Sequence, residues 1–291
     1  MKKRFLFITV MLLLADLVIA AQVKPIKKQN SISGNAVRNI PAELVWITLF
    51  TDKIRKNPQG CWEVWLFDGI EMIYIPAGDF LMGAPREEVG WENGEGPVHR
   101  VYIKGILIGK YEVTRGIWQA VMGGGALHPG ERDLPQGDVS YNDIQKFLLV
   151  LKIKSGFAFR LPTEAEWEKC CRGGSVGPDY GPINEISWNA QNSGDKIHPV
   201  GRKRPNNFGI FDMLGNVWEW CSDWYSASYY YESPYLNPTG PEKGSLRIHR
   251  GGGFRHSGHY LRCAHRNDQY PAISKPQYGY GFRLGLDLEL Q

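Results

Sequence analysis

From Ile70 onward, short apolar runs alternate with turns rich in glycine, proline and asparagine. No long helical period is visible between residues 175 and 291. The 291 residues include 34 glycines, 10 tryptophans, 14 tyrosines and 12 phenylalanines. Glycine permits tight turns, and large aromatic side chains fill a core between irregular segments. The pattern predicts one irregular α+β domain over residues 62–291.

Three helices are predicted from their start and stop signals. They cover residues 115–122 after Thr114, residues 141–153 after Ser140 and residues 164–171 after Thr163. Glu166 completes a Thr-x-x-Glu capping box in the third helix, and Gly173 ends that helix. Few helices and many turns are consistent with the α+β prediction.

The first 21 residues are typical of a signal peptide. Residues 2–4 are basic, residues 5–15 are mostly apolar, and Val18 and Ala20 form a small-residue cleavage pattern before Ala21. The alternative, a membrane anchor, conflicts with the short apolar run and with Asp16. We therefore expect a periplasmic or secreted protein without a transmembrane segment after cleavage.

Residues 22–61 are predicted to be a linker or a short N-terminal extension. Within them, residues 41–56 are compatible with a short amphipathic helix that has Leu44 and Ile47 on one face. The net charge of the whole chain is +4, and no basic stripe indicates nucleic-acid binding.

Five cysteines lie in the mature chain, at positions 61, 170, 171, 221 and 263. Export permits a disulfide bond, and an odd number of cysteines leaves at least one thiol unpaired.

Several motifs resemble the formylglycine-generating enzyme, or sulfatase-modifying factor, family. The most specific are Arg-Leu-Pro-Thr-Glu-Ala-Glu-Trp at 160–167 and Gly-Asn-Val-Trp-Glu-Trp at 215–220. Shorter matches, in the family's order, lie at 75–83, 94–101, 111–114, 172–174, 250–252, 262–264 and 281–283. The resemblance covers about 220 residues. It implies a fold related to C-type lectins, with a small twisted antiparallel sheet, few helices and bound calcium.

The resemblance also implies the ligands of one structural calcium ion. Asp212 and Glu219 would bind through their side chains, Gly215 and Val217 through backbone carbonyls, and Glu95 from a distant loop. Hard oxygen ligands on irregular backbone suit calcium. The alternative is a solvated loop with acidic caps.

Copper-dependent members of that family hold Cu(I) with two cysteines, because soft thiolates suit this ion. The corresponding segment, residues 253–261, contains no cysteine; His256 and Gly258 stand at the two ligand positions. Copper-dependent formylglycine formation is therefore not expected. His256, His259 and His265 leave another metal, such as iron, open, although three exposed histidines on a variable loop are the simpler interpretation.

The resemblance further implies a disulfide bond between Cys171 and Cys263, at positions whose cysteines pair in the copper-dependent enzymes. The competing pairing uses Cys170. Neighbouring helical residues point about 100° apart, so Cys170 and Cys171 do not face the same partner.

Two functions from different classes follow. The first is a non-catalytic binding or assembly protein that uses residues 255–280 as a surface for a protein, peptide or glycan outside the cytoplasm, as in the variable proteins that diversity-generating retroelements produce. The second is an oxidase of an exported peptide or natural product with non-cysteine metal ligands. The candidate ligand-binding residues are Trp218, Arg255, His256, Ser257, His259, Tyr260, His265, Tyr278 and Tyr280.

Overall fold

A computed structural model describes residues 40–273 and 279–289. The predicted signal peptide and Tyr278 lie outside these ranges. Within them, no helix is long and apolar enough to span a membrane.

Three sheets contain the strands, and the architecture is α+β, as predicted. One sheet has the order β1-β2-β3-β6-β11, one has the order β10-β7-β8-β9, and β4 pairs with β5 alone. All strand pairs are antiparallel except β10 with β7, which is parallel. The strands are β1 (Ile54–Lys56), β2 (Trp62–Trp65), β3 (Glu71–Ile75), β4 (Gly78–Met82), β5 (His99–Ile103), β6 (Ile106–Gly109), β7 (Trp218–Trp224), β8 (Arg247–Arg250), β9 (Asn267–Gln269), β10 (Tyr280–Gly281) and β11 (Gly285–Asp287).

The helices begin at the predicted caps. They are α1 (Arg115–Met122), α2 (Tyr141–Ser155), α3 (Glu164–Arg172) and the short α4 (Ile183–Ile186). The Thr114, Ser140 and Thr163 side chains each accept a hydrogen bond from a first-turn backbone N–H, and Glu166 completes the capping box. The α2 helix continues two residues beyond the predicted end, to a left-handed Gly156. Single-turn or longer 3-10 helices cover Ala42–Leu49, Phe67–Gly69, Tyr229–Tyr231 and Gly258–Tyr260.

The described part of the predicted linker or N-terminal extension, residues 40–61, packs into the fold. Leu44 and Ile47, on the 3-10 helix Ala42–Leu49, are fully buried in the same core as Leu107 and Phe147. Strand β1 pairs with β2 in the five-stranded sheet. The described part of the supposed linker therefore belongs to the domain, because its two apolar residues complete the core under α2. The predicted helical face is confirmed, although the helix is of the 3-10 type.

Side chains on the two faces of β7 pack into two different hydrophobic cores. Trp218 and Trp220 point to one side of the four-stranded sheet and pack into the core that contains Phe147 and Phe282. Cys221 packs into the second core with Trp167. Successive side chains on a strand point to opposite faces, so this one strand contributes to both cores.

Candidate functional site

Three strands bring aromatic and imidazole side chains together on one face of the four-stranded sheet. His249 of β8 lies opposite Trp220, and Tyr280 of β10 lies beside Trp218. The His249 ring is 4.8 Å from the Trp218 ring, 5.4 Å from the Trp220 ring and 4.8 Å from the Tyr280 ring, between centroids. Sheet pairing thus fixes the floor of the candidate site.

The loop between β8 and β9 adds further imidazoles. The ring centroids of His256 and His265 lie 5.1 Å and 5.8 Å from that of Trp218, and Tyr260 lies 5.0 Å and 5.2 Å from the same two histidines. The loop turns sharply at Gly252, whose φ is +73°; a Cβ atom there would lie 2.5 Å from a Leu261 methyl group. Only glycine fits this backbone and this approach.

We call Trp218, His249, His256, Tyr260, His265 and Tyr280 the imidazole cluster. Four of its ring nitrogens are buried without a hydrogen-bond partner in the described part of the chain: both of His249, Nδ1 of His256 and Nε2 of His265. Burial lowers the pKa of His249 to about 3, with a smaller contribution from His265 and His256, and burial also lowers the pKa of His256. A neutral imidazole carries one donor and one acceptor, so both hydrogen-bonding groups of His249 are buried without a partner among the described residues.

The predicted ligand-binding residues differ in their exposure to solvent. Arg255, Ser257 and His259 are exposed, and His256 and Tyr260 are half-buried. Trp218, His265 and Tyr280 are buried, at 1%, 1% and 5% exposure, so their role in ligand binding stays a prediction. They lie on or against the sheet and form the floor beneath the exposed loop.

Ion pairs hold the exposed loop. Arg255 donates to Asp195 with its Nη2 atom 3.0 Å from Oδ2. Arg262 donates through both terminal nitrogens to Glu95, at 2.7 Å and 2.6 Å, and His265 Nδ1 lies 3.1 Å from Glu95 Oε1. These charge-assisted hydrogen bonds set the loop's position before any ligand arrives.

A group of buried carboxylates lies behind the other face of β7. We call Glu112, Asp212 and Glu219 the carboxylate cluster. Glu219 accepts from Arg283 Nε at 2.6 Å and from Trp167 Nε1 at 2.7 Å. Glu112 accepts from the Val217 N–H and from the Asn216 side chain.

Asp212 is the least satisfied member of the carboxylate cluster. Its Oδ2 accepts from the Gly201 N–H at 2.7 Å, and its Oδ1 is buried without a partner in the described residues. Burial raises the pKa of Asp212 to about 6, and repulsion from Glu219 adds to the shift. Burial, then Asp212 and Glu219, raise the pKa of Glu112 well above its usual value. The guanidinium of Arg283 lies near all three carboxylates. The three do not converge within ligand distance of one another among the described residues.

The proposed calcium ligands do not all come together. Glu95 is held by Arg262 and His265, and its carboxylate forms no ligand group with Asp212 and Glu219; the one group of three candidate metal-ligating side chains among the described residues is Glu92, Glu95 and His265. Both Glu95 oxygens accept from Arg262 in this structure, and the place of Glu95 in the calcium site stays a prediction. The assignment of Asp212, Gly215, Val217 and Glu219 stays a prediction.

Backbone geometry at the carboxylate cluster is special. Asp212 and Asn216 have φ values of 55° and 58°, and Gly215 has 85°. A Cβ atom on Gly215 would lie 2.3 Å from the Trp188 carbonyl oxygen. The turn that carries the predicted ligands thus requires glycine at this position.

Cys171 and Cys263 face each other in the second core. Their Sγ atoms are 3.1 Å apart, longer than the covalent distance of about 2.05 Å, so the structure shows two thiols in contact. Cys170 is buried as well, and Cys171, not Cys170, contacts Cys263. The choice of partner agrees with the prediction, and the bond itself stays a prediction.

The segment that replaces the copper-binding cysteines forms the rim of the imidazole cluster. His256 is half-buried there and Gly258 begins a 3-10 turn. None of the five cysteines lies in this segment. The donor set does not fit a Cu(I) dithiolate. His249, His256 and His265 also do not form a group of three converging ligand atoms among the described residues.

The fold and these sites define an irregular α+β domain of the formylglycine-generating-enzyme type. Residues 66–288 match the model of the sulfatase-modifying factor enzyme 1-like domain, and the chain belongs to this family. The formylglycine-generating enzyme of Streptomyces coelicolor is 29% identical over 289 aligned positions, covering 75% of this chain and 90% of that protein.

Two solved structures are similar. PvdO from Pseudomonas aeruginosa superposes with a TM-score of 0.69 and 30% identity, over 80% of this chain and 100% of that one. Treponema denticola variable protein 1 gives a TM-score of 0.67 and 27% identity, over 77% of this chain and 98% of that one.

Sequence reasoning missed two residues. His249 directly precedes the Arg-Gly-Gly motif at 250–252, and Glu112 lies inside the Tyr-Glu-Val-Thr motif at 111–114. A signal existed for Glu112, a carboxylate within an apolar motif. Strand β8 has four residues, too few for its pattern of polar and apolar side chains to show that His249 points inward.

Proposed function

We propose that this chain is an exported, non-catalytic binding protein whose ligand surface is the loop 255–260 above the imidazole cluster. The observation that carries the proposal is the exposed rim of Arg255, Ser257 and His259 over four unpartnered imidazole nitrogens. Small polar and aromatic side chains make adaptable binding surfaces. Similarity to Treponema denticola variable protein 1 supports the comparison of this chain with variable proteins. The ligand is a protein, peptide or glycan outside the cytoplasm.

Negative charge introduced at the rim of loop 255–260 tests whether this loop is the ligand surface. The mature protein would be probed on a glycan array and a peptide array. Ser257→Asp and His259→Asp are expected to abolish the signal of any ligand bound, because they place negative charge on the rim. Thr239→Asp, on another exposed loop, is the matched control and should leave binding unchanged. Equal binding by all three variants would place the ligand surface elsewhere.

The same proposal predicts no sulfatase activation. Mature protein incubated with Cu(I) and a peptide bearing the sulfatase cysteine motif should yield no aldehyde by mass spectrometry, because residues 253–261 offer no thiolate pair. Aldehyde formation would contradict both the binding proposal and the placement of the copper segment.

One observation favours the second function, a metal-dependent oxidase. The unpartnered nitrogens of His249, His256 and His265 suit iron, copper or zinc if a ligand-induced movement brings them together. Metal analysis of aerobically purified mature protein separates the two functions. Stoichiometric iron or copper that His249→Ala removes would favour the oxidase, and calcium alone would favour the binding protein.

We also propose a structural calcium ion at Asp212 and Glu219, with the carbonyls of Gly215 and Val217. The buried, unpartnered Asp212 Oδ1 supports it. A cation that binds only the folded state stabilises it by about 2.7 kcal/mol at a hundredfold excess over Kd. Chelation should therefore lower the Tm of the wild type.

Two variants sharpen this calcium experiment. Asp212→Asn should remove the response to chelation, whereas Glu95→Gln should keep it, because Glu95 belongs to the separate group around Arg262. A wild-type Tm that excess chelator does not move would show that no calcium stabilises the fold.

A further inference from the structure

A groove of about 560 Å³ opens along strand β4, away from the imidazole cluster's floor. Its wall consists of β4 on one side and the end of α3 with the following turn on the other. The residues that matter here are Asp79, Leu81, Val98, Lys169, Val176 and Phe208. No part of the proposed function uses this groove.

Strand β4 has a free edge that faces out of its two-stranded sheet. The backbone of Tyr102, on β5, bonds on its far side: its N–H donates to the Tyr235 carbonyl at 2.7 Å, and its own carbonyl accepts from the Asn237 N–H at 2.8 Å. Tyr102 lies opposite Asp79 in the register, so this pair exchanges no hydrogen bonds. In an antiparallel ladder bonded and non-bonded pairs alternate. The N–H and C=O groups of Asp79 and Leu81 therefore point away from β5.

These four backbone groups have no partner among the hydrogen bonds of the described residues. The free edge is two residues long and borders the groove. Natural proteins cover or charge such edges because unpaired strand edges attract other strands. An open edge bordering a groove is the geometry of strand addition, in which an extended peptide supplies the missing partners.

Exposed aliphatic side chains surround this edge. Leu81, Val98 and Val176 are 58%, 39% and 93% exposed, and all three line the groove. Scattered single apolar residues need no explanation, but three around one groove mark a site of interaction. They suit aliphatic side chains on an incoming strand.

Lys169 adds a positive charge to the lining of the groove. Lys169 is 9% exposed, and its Nζ donates to the carbonyls of Pro76 and Gly78 at 3.1 Å and 2.9 Å. Among the described residues it forms no salt bridge with a carboxylate. Burial lowers its pKa, and the nearby charges of Cys170 and Asp79 offset only part of this effect. A carboxylate on the ligand would supply the missing counter-charge.

We infer that β4 binds an extended peptide of a partner protein as an added strand, with aliphatic side chains against Leu81 and Val176 and a carboxylate near Lys169. The carboxylate comes either from an acidic side chain or from the peptide's C-terminus.

Fluorescence polarisation with designed peptides tests the inference on the mature protein. The probe is a labelled peptide of alternating valine and threonine that ends in a free carboxylate; the same peptide as a C-terminal amide, with and without an internal aspartate, distinguishes the two carboxylate sources. We expect saturable binding. N-methylation of one alternate set of amides should abolish it, and N-methylation of the other set should not, because strand addition uses only one set. Absence of binding at millimolar peptide, or equal effects of the two methylated peptides, would overturn the inference.

Protein variants locate the binding in the groove. Leu81→Asp should weaken it at least about tenfold, whereas Leu149→Asp, at a similarly exposed leucine on α2, should not. Lys169→Met should weaken the carboxylate peptides and leave the neutral amide unchanged. A loss that is the same for Leu81→Asp and Leu149→Asp would contradict the site. The methylated peptides decide the question even if Lys169→Met fails to fold.

Discussion

At the scale of single residues, Asp223 shows how burial sets a charge. Its carboxylate on β7 accepts from the Glu164 N–H at 3.0 Å, at the start of α3, and from the Ser222 hydroxyl at 2.9 Å. Burial, followed by repulsion from Glu164, raises the pKa of Asp223 to about 7. The folded state therefore holds this proton across a pH range in which the unfolded chain has lost it.

This shift predicts a pH dependence of stability. Between about pH 4 and pH 7 the folded state binds one more proton at Asp223 than the unfolded state, so the contribution of Asp223 falls as pH rises, by on the order of 1 to 4 kcal/mol. Asp223→Asn keeps an acceptor oxygen and removes the titration. The free energy of unfolding of the variant, measured in urea, should gain on the wild type from pH 4 to pH 8. A difference that does not change with pH would contradict the assigned pKa.

Two predicted calcium ligands illustrate what residue identity alone conveys. The match of Asp212 and Glu219 to the family motif predicts their role, and both do lie in a buried carboxylate cluster. Glu95, matched in the same way, pairs with Arg262, a residue 167 positions away in the chain. Sequence spacing carries no information about such a contact.

At the scale of elements, the 3-10 helix Ala42–Leu49 contributes to the core, which its sequence pattern did not predict. Only Leu44 and Ile47 of its eight residues are buried. Two apolar positions are too few for a periodicity signal. Their burial depends on α2 and the five-stranded sheet, which come later in the chain.

A core role for this helix predicts a clear mutational contrast. Leu44→Ala in the mature protein should lower the free energy of unfolding by about 2 to 5 kcal/mol, because it leaves a cavity in a closed core. Val45→Ala, at a neighbouring residue that is 48% exposed, should change it by less than about 0.5 kcal/mol. Urea unfolding measures both. Two equal and small effects would restore the linker interpretation of residues 22–61.

At the scale of the whole molecule, the contact between Cys171 and Cys263 connects segments 92 residues apart. The two segments are the end of α3 and the loop that carries His256, Tyr260 and His265 of the imidazole cluster, so a bond here would tie the candidate site to the second core. In the chain-entropy model, a loop of this size contributes roughly 4 to 5 kcal/mol.

We predict that the bond forms in protein from an oxidising compartment. Non-reducing peptide mapping should recover a Cys171–Cys263 linkage and three free thiols, and reduction should lower the Tm. Cys170→Ser should retain this redox response, whereas Cys171→Ser should lose it; both replace a buried cysteine, so they are matched. Five free thiols or a linkage through Cys170 would refute the pairing.

The sequence by itself determined the family, the α+β class, the three capped helices and the absence of a copper-binding cysteine pair. Each depends on local information: Thr163 and Glu166 cap α3 within one turn, and residues 253–261 contain no cysteine. The start of the domain, the place of Glu95, the inward position of His249 and the free edge of β4 were decided only by the tertiary structure. The positions of His249 and the β4 edge depend on strand pairing, and that of Glu95 depends on a contact across 167 residues. Hydrophobic burial and ion pairing, not sequence neighbours, select these contacts.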